Sequence, residues 1–255
     1  MGPKNGLAGG ADLLTAKELA AIRRSRRHPA LTQFDYLHLR YLVRGLAEVL
    51  REVTAPVEEV LDVWCGSRPY EDLLPEGAHC VGLDLPANPY GVADVTSDEL
   101  LPFPDRSFDL LLCTEAFQFV PDPEAAVAEF RRVLRDGGTA VIALPFAFEY
   151  DPRILERRFT GPHLLALFEG WEEVRLHEHG GRVVAWSVLT ASLLRNVELR
   201  FRRTRGLRAV GLAFPAVYVA LNLLGLALAR LERQATGAGA LPMNLLLTAR
   251  RPVAM

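Results

Sequence analysis

Lysine is almost missing from this 255-residue chain: only Lys4 and Lys17 occur, and the other fixed cations are arginines. This reads as a coding preference with no chemical message. A charge excess is also missing, since 29 Lys+Arg face 31 Asp+Glu for a net charge of -2. That removes the general electrostatic argument for a nucleic-acid binder. Cysteine is scarce. Cys65, Cys80 and Cys113 form no CxxC pair, and an odd number without a framework points to a reducing interior. The N-terminus lacks an apolar signal core, so a cytoplasmic location is expected. A GxGxxG turn is lacking too, which argues against a nicotinamide oxidoreductase.

What the chain has is apolar bulk: 50% of its residues are hydrophobic. That suits an ordered globule of one large domain, or one domain with an appendage. Residues 1–10 are glycine-rich and read as a frayed end. From Ala11 to Val53 the pattern is helical, broken near Pro29. Leu39, Leu42, Val43, Leu46 and Leu50 recur at spacings of three and four, which marks one buried helix face. From Val57 the period changes. EEVLDVW, HCVGLDL, YGVADV, SFDLLLCT and GTAVIALP read as strands, and PEAAVAEFRRVLRDGG as a helix stopped by Gly137 and Gly138. PHLLALFEGW reads as a short helix, EEVRLHEH as a sixth strand and MNLLLTARRP as a last one. Alternating strands and helices imply a doubly wound α/β sheet.

Ligands of such sheets bind beyond the carboxyl ends of the strands. The first turn there is VLDVWCGSRPYEDLLP, Val60 to Pro75, where Gly66 lets the backbone come close to a ligand. Asp84 follows Asp62 by 22 positions and ends the second strand, a place that suits a carboxylate accepting both hydroxyls of a ribose. These stretches, with ADV and LPFPDRSFDLLLCTEAFQFVPDPEAAVAEFRRVLRDGGTAVIALP, resemble class I S-adenosylmethionine-dependent methyltransferases. Within that superfamily the chain is most similar to the small-molecule group typified by quinone-biosynthesis enzymes. The resemblance is strong from Val57 to Pro145 and weaker beyond, where RRFT at Arg157–Thr160 and MNLLLTARRP continue it.

The resemblance implies a seven-stranded sheet in the order 3-2-1-4-5-7-6, strand seven antiparallel, with S-adenosylmethionine as cofactor. It implies cofactor contacts from Asp62, Trp64, Cys65 and Gly66 in the first turn. Asp84 would hold the ribose and Leu85 would pack on the adenine. Asp94 would accept from the adenine amino group, beside the N–H of Val95. Thr114 and Glu115 would lie beside the methionine moiety. Trp64 and Arg68 stand where the family usually has glycines, and the Trp64 ring is expected against the cofactor or the N-terminal helix. Residue chemistry alone leaves alternatives: Asp94 as a turn former, Asp84 as a strand-end cap, Glu115 as a helix N-terminal charge or a catalytic base. If the indole filled the hollow, the chain would instead be a non-catalytic relative that binds or scaffolds.

Methyl transfer from a sulfonium asks the protein to align the groups and exclude water. A hydroxyl acceptor also needs a base within hydrogen-bond reach. Glu115 and His163 are the catalytic candidates, with His177 and His179 on one side of a strand behind them. That His pair would also suit a metal, but no carboxylate cluster accompanies it, and no metal is expected. Many relatives carry Glu-His where this chain has Gln118 and Phe119, so their use of that histidine does not transfer. Strand four ends CTEA and lacks the Asn/Asp-Pro-Pro-Tyr/Phe clamp of amino-methylating nucleic-acid enzymes. The acceptor is therefore expected to be small or lipid-linked and partly apolar, with O-methylation first.

The block before the last strand holds Arg195, Arg200, Arg202, Arg203, Arg205 and Arg208, then the apolar run Ala209–Leu231. The run is long enough to span ~30 Å as a helix. A single crossing would strand the last strand beyond the bilayer. The expectation is a helical hairpin, about Val184–Arg202 and Gly206–Leu231, serving as a lid, a homodimer surface or a membrane-interface element. The chain thus divides into an N-terminal helical segment (1–56), a methyltransferase domain (57–182 and 241–255) and an apolar insertion (183–240).

Overall fold

The computed structural model describes residues 14–53, 56–98, 101–149, 154–236 and 241–253; the glycine-rich start lies outside them. Seven strands, β1 (Glu59–Val63), β2 (His79–Asp84), β3 (Val95–Thr96), β4 (Phe108–Thr114), β5 (Leu134–Pro145), β6 (Glu172–His179) and β7 (Asn244–Arg250), form one sheet ordered β3-β2-β1-β4-β5-β7-β6. β1 to β5 pair in parallel, and β7 runs antiparallel between β5 and β6, as the resemblance implies. Because β7 is reversed, its first residue, Asn244, faces Pro145 at the carboxyl end of β5.

Strand alternation sends Leu61, Val63, Leu111, Cys113 and Ile142 to one face, under α3 (Pro123–Val133) and α4 (Gly161–Leu167). It sends Val60, Leu110, Leu112, Val141 and Leu246 to the other, under α2 (Tyr36–Arg51). The predicted leucine stripe of α2 is that cover, and each fully buried leucine contributes ~1.5–3 kcal/mol. α2 is therefore part of the sheet's core and not an appendage. Before it, α1 (Ala16–Arg27) starts from a capping box between Thr15 and Glu18.

The outer side of α2 carries the expected hairpin, made of α5 (Arg182–Arg203), the short α6 (Arg208–Gly211) and α7 (Phe214–Thr236). Glu198 of α5 ties it together, accepting from Arg195 at 2.7 Å, Arg202 at 2.6 Å and the Tyr218 hydroxyl at 2.7 Å. Gly225 marks the closest approach. A Cβ there would stand 2.7 Å from both Leu37 Cδ1 of α2 and Ser187 Oγ of α5.

The structure corrects two elements. α3 stops at Val133, and β5 begins at once with Leu134 opposite Phe108. Gly137 (φ 76°) and Gly138 do not cap the helix; they form a β-bulge clasped by Arg251. YGVADV is mostly loop, leaving a two-residue β3. Gly91 there has φ 63°, and the Asp94 side chain is drawn into bonds with the neighbouring turn.

Candidate active site

β1 delivers Asp62, buried, to the carboxyl edge of the sheet. Three residues of the following turn, Trp64 (φ 53°), Gly66 (φ 57°) and Arg68 (φ 53°), take left-handed backbone. For a residue with a side chain this costs ~1–3 kcal/mol. Trp64 and Arg68 thus reproduce a glycine backbone while carrying large side chains that work elsewhere. The indole lies against Phe130 of α3, ring centroids 6.1 Å apart, among residues packed on the α3 face of the core. Of the two expected placements, against the cofactor or on the N-terminal helix, the second is replaced by one on α3.

Arg68 is buried and donates to Asp94 Oδ2 at 2.6 Å, Glu71 Oε1 at 3.0 Å and the Cys80 carbonyl at 2.7 Å. It fastens the turn to β2 and to the loop before β3. The same Asp94 oxygen accepts from Gly82 N at 2.8 Å. Asp94 is thereby built into the frame beside Val95. α1 closes the turn from above, where Arg23 donates to the Ser67 carbonyl at 2.5 Å.

Asp84 Oδ2 accepts from Gly66 N at 2.7 Å and from Asn88 Nδ2 at 2.6 Å, while Oδ1 accepts from Leu85 N at 2.7 Å. The carboxylate is aimed across the turn, and Leu85 beside it is 48% exposed. A Cβ placed on Gly66 would meet only Tyr90, at 4.0 Å. The space before Gly66 is open, so its glycine is required by φ and not by crowding. Burial pushes the Asp62 carboxyl up to about 7 against the pull of Arg68. Burial likewise raises the Cys65 thiol, which holds a structural place with its N–H on the Leu83 carbonyl at 3.0 Å.

Thr114 ends β4, and Glu115 follows in left-handed backbone, φ 54°. One carboxylate oxygen of Glu115 pairs with Arg26 of α1 and the other with Nε2 of His38 of α2. Burial would raise this carboxyl, but His38 and Arg26 outweigh it and hold it down at about 2. A carboxylate held so firmly is a weak proton acceptor near neutral pH, which counts against Glu115 itself as the base.

Around this pair lie several buried polar atoms without partners: His38 Nδ1, Asp35 Oδ1, the Tyr70 hydroxyl, Thr114 Oγ1, Gln118 Oε1 and Asn244 Oδ1. They are linked locally, since Gln118 donates to the Glu115 carbonyl at 3.0 Å and Asn244 to the His38 carbonyl at 3.3 Å. Burial raises the Asp35 carboxyl. Buried polar atoms are nearly always satisfied in folded proteins, so such a group at the carboxyl ends of β4 and β5 marks a place for a polar ligand. Arg26, Asp35, His38 and Tyr70 are not evident from the sequence motifs. Their one signal was a histidine set among the leucines of FDYLHLRYL.

His163 sits exposed at the start of α4, its ring 5.3 Å from that of Phe159, and is not among the residues paired at Glu115. His177 and His179 do share one side of β6, ring centroids 6.4 Å apart. The His179 ring packs on α2, where a Cβ on Gly45 would come within 2.8 Å of it.

A sheet of this order, with a glycine turn after β1 and an acid closing β2, defines the class I fold of S-adenosylmethionine-dependent methyltransferases. The open face at Gly66, the aimed carboxylate of Asp84 and exposed Leu85 fit an adenosine, and the orphaned atoms near Thr114 fit the polar methionine end. Residues 61–142 match the family described as a methyltransferase domain.

Among curated relatives, the chain is 34% identical over 97 residues to a ubiquinone biosynthesis O-methyltransferase of Hahella chejuensis, covering 32% of this chain and 41% of that protein. It is 38% identical over 98 residues to a demethylmenaquinone methyltransferase of Listeria welshimeri, 31% and 41% covered. It is 36% identical over 100 residues to a sterol 24-C-methyltransferase of Gibberella zeae, 32% and 26% covered. The matches thus span less than half of each relative. Among solved structures, a methyltransferase in complex with the Trm112 activator of Haloferax volcanii aligns over 94% of this chain and 98% of its own, at TM-score 0.54 and 18% identity. The [4+2]-cyclase SpnF aligns over 83% and 82%, at TM-score 0.52 and 18% identity. These two share the fold, and a fold does not by itself fix the reaction.

Proposed function

We propose that the protein transfers a methyl group from S-adenosylmethionine to a hydroxyl of a small or lipid-linked, partly apolar acceptor. The observation that carries the reading is the open space before Gly66, whose N–H the Asp84 carboxylate accepts, with Leu85 exposed beside it and buried partnerless polar atoms around Thr114. In this reading Asp84 takes the ribose hydroxyls and Leu85 the adenine face. Asp94 and the Val95 N–H serve the adenine edge. Asp62, Cys65, Gly66 and Thr114 line the path of the amino-acid end, and Trp64 supports the turn from beneath. The cofactor supplies a methyl carbon on a positively charged sulfur, already activated for displacement. The protein aligns the acceptor and keeps water out.

The acceptor class rests on the curated relatives, whose names point to quinones and sterols, and on the hairpin. Ala216, Val217, Ala220, Leu223, Leu224, Ala227, Leu228 and Leu231 form an exposed apolar stripe along α7. Trp186, Leu189 and Leu193 add an exposed apolar run on α5. From Leu199 to Leu231 there is no acidic residue, and Arg200, Arg202, Arg203, Arg205 and Arg208 cluster at the hairpin tip. An apolar stripe beside an arginine cluster, of which Arg202 pairs with Glu198, complements an anionic bilayer surface. The hairpin is read as a peripheral contact with such a surface, where a lipid-linked acceptor resides.

Calorimetry with S-adenosylhomocysteine tests the reading, followed by transfer of labelled methyl to 4-octylcatechol as an apolar hydroxyl probe. Micromolar binding and label in the organic extract are expected. Absence of binding at millimolar ligand would leave a scaffold that only shares the fold.

A further inference from the structure

We infer that His38 is the general base of this site, with Glu115 as the carboxylate that holds and charges it. The inference deepens the proposed hydroxyl methylation and rests on that reading. His38 lies near the start of α2, almost fully buried, and is fixed on three sides. Glu115 engages Nε2, the Phe148 ring lies 4.9 Å from the imidazole, and the His38 carbonyl accepts from Asn244. Phe148 follows β5, Glu115 follows β4, and Asn244 begins β7. The imidazole therefore stands over the carboxyl ends of β4 and β5 and the amino end of the reversed β7, beside the end of β4 where the methyl donor's amino-acid part is assigned.

The remaining nitrogen, Nδ1, is buried and has no partner. An ionised carboxylate accepts a hydrogen bond, so in the neutral ring the proton sits on Nε2 facing Glu115. That leaves the lone pair on Nδ1. A base must be oriented by a second group and must keep a free acceptor atom. His38 meets both conditions, and Glu115, committed through both oxygens, fails the second. The charged and titratable groups around the pair are Arg26 from α1, Asp35 from the turn into α2, Tyr70 from the turn after β1, and Glu115 itself. Arg26 neutralises the second Glu115 oxygen and keeps the carboxylate ionised.

The step balances. The acceptor's O–H proton passes to Nδ1 while an oxygen electron pair forms the new O–CH3 bond. The electron pair of the broken C–S bond remains on sulfur. The imidazolium is stabilised by Glu115 and returns its proton to water after product leaves. Asp35, with its raised affinity for a proton and an unpaired oxygen, stands near His38 for that return.

Two measurements test this. The first is nitrogen NMR of the 15N-histidine-labelled protein saturated with S-adenosylhomocysteine. We expect the neutral His38 ring to show a protonated Nε2 and a bare Nδ1, and the Nδ1 signal to move when 4-octylcatechol is added. A proton on Nδ1 in the neutral ring, or an Nδ1 signal indifferent to the catechol, overturns the assignment. This readout needs no turnover and no variant of His38.

The second is transfer to the catechol by His38→Gln, which keeps an N–H donor for Glu115 and loses the base. A fall in kcat of ~10²–10⁴-fold is expected. S-adenosylhomocysteine affinity should be unchanged, and the rate should rise again at high pH as the catechol ionises unaided. A kcat within threefold of the parent, with the parent's pH profile, overturns the role. Loss of S-adenosylhomocysteine binding by the parent protein would instead sink the methyltransferase reading itself, so the two failures are distinct.

Discussion

Asp84 and Asp62 illustrate how a single carboxylate's surroundings set its task. Asp84 is partly exposed and aimed over Gly66, ready to exchange local partners for a sugar. Asp84→Ala is expected to weaken S-adenosylhomocysteine binding by ~1–3 kcal/mol through lost charge-assisted hydrogen bonds, read by calorimetry. Asp62 is buried, and its proton leaves only at about 7. In the unfolded chain it leaves near ~4. Between these values the folded state binds more protons, so this residue makes stability fall as pH rises from ~4 towards 7, then level off. Asp62→Asn removes that slope. Its melting temperature relative to the parent should be higher at pH 8 than at pH 5, and an equal difference at both would show that Asp62 is ionised throughout. Asp62, Gly66 and Asp84 were legible because strand rhythm places them at an edge where ligands bind. His38 and Arg26 were not, because their meeting with Glu115 is made by helix packing across 77 and 89 positions of chain.

At the scale of elements, the fold replaces long crossover helices with fastenings. The β1–β2 connection contains only a 3-10 turn, Glu71–Leu73, and Arg68 does the clamping that a packed helix would share. Arg68→Ala should destabilise the protein by ~1–3 kcal/mol. It should also speed amide hydrogen exchange around residues 80–96 more than in β4 or β5. The three-helix crossing at Gly225 is the second fastening. Gly225→Val must push Leu37 or Ser187 aside, at an expected cost of ~1–3 kcal/mol in chemical denaturation. Apart from YGVADV, where only Val95–Thr96 forms strand, the strands and the hairpin were readable from apolar period. The bulge at Gly137 and Gly138 was not, because a glycine pair after a helix reads equally as a stop, and only the Arg251 clasp decides it.

At the scale of the molecule, the sheet and the hairpin are two bodies with α2 between them. α7 is long and apolar enough to cross a membrane by composition, yet it packs along α5 and α2, and its chain returns as β7 between β5 and β6. The arrangement counts against a single crossing, since β7 must rejoin the sheet, and leaves the proposed contact to rest on the surface stripe. The parent protein should float with vesicles containing phosphatidylglycerol and stay down with neutral vesicles or at high salt. Leu224→Glu with Leu228→Glu should abolish flotation without loss of S-adenosylhomocysteine binding. A parent that remains soluble with anionic vesicles, and that sediments as a dimer which the same pair splits, would assign the stripe to self-association.

α2 touches the two bodies through consecutive residues. Leu37 bears on Gly225 of the hairpin, and His38 bears on Glu115 of the catalytic edge. If the hairpin lies on a bilayer as proposed, its tilt against lipid would be felt one peptide bond from the imidazole, and the docking surface would double as a throttle. Adding anionic vesicles should then shift the His38 ring signals even when no acceptor is present.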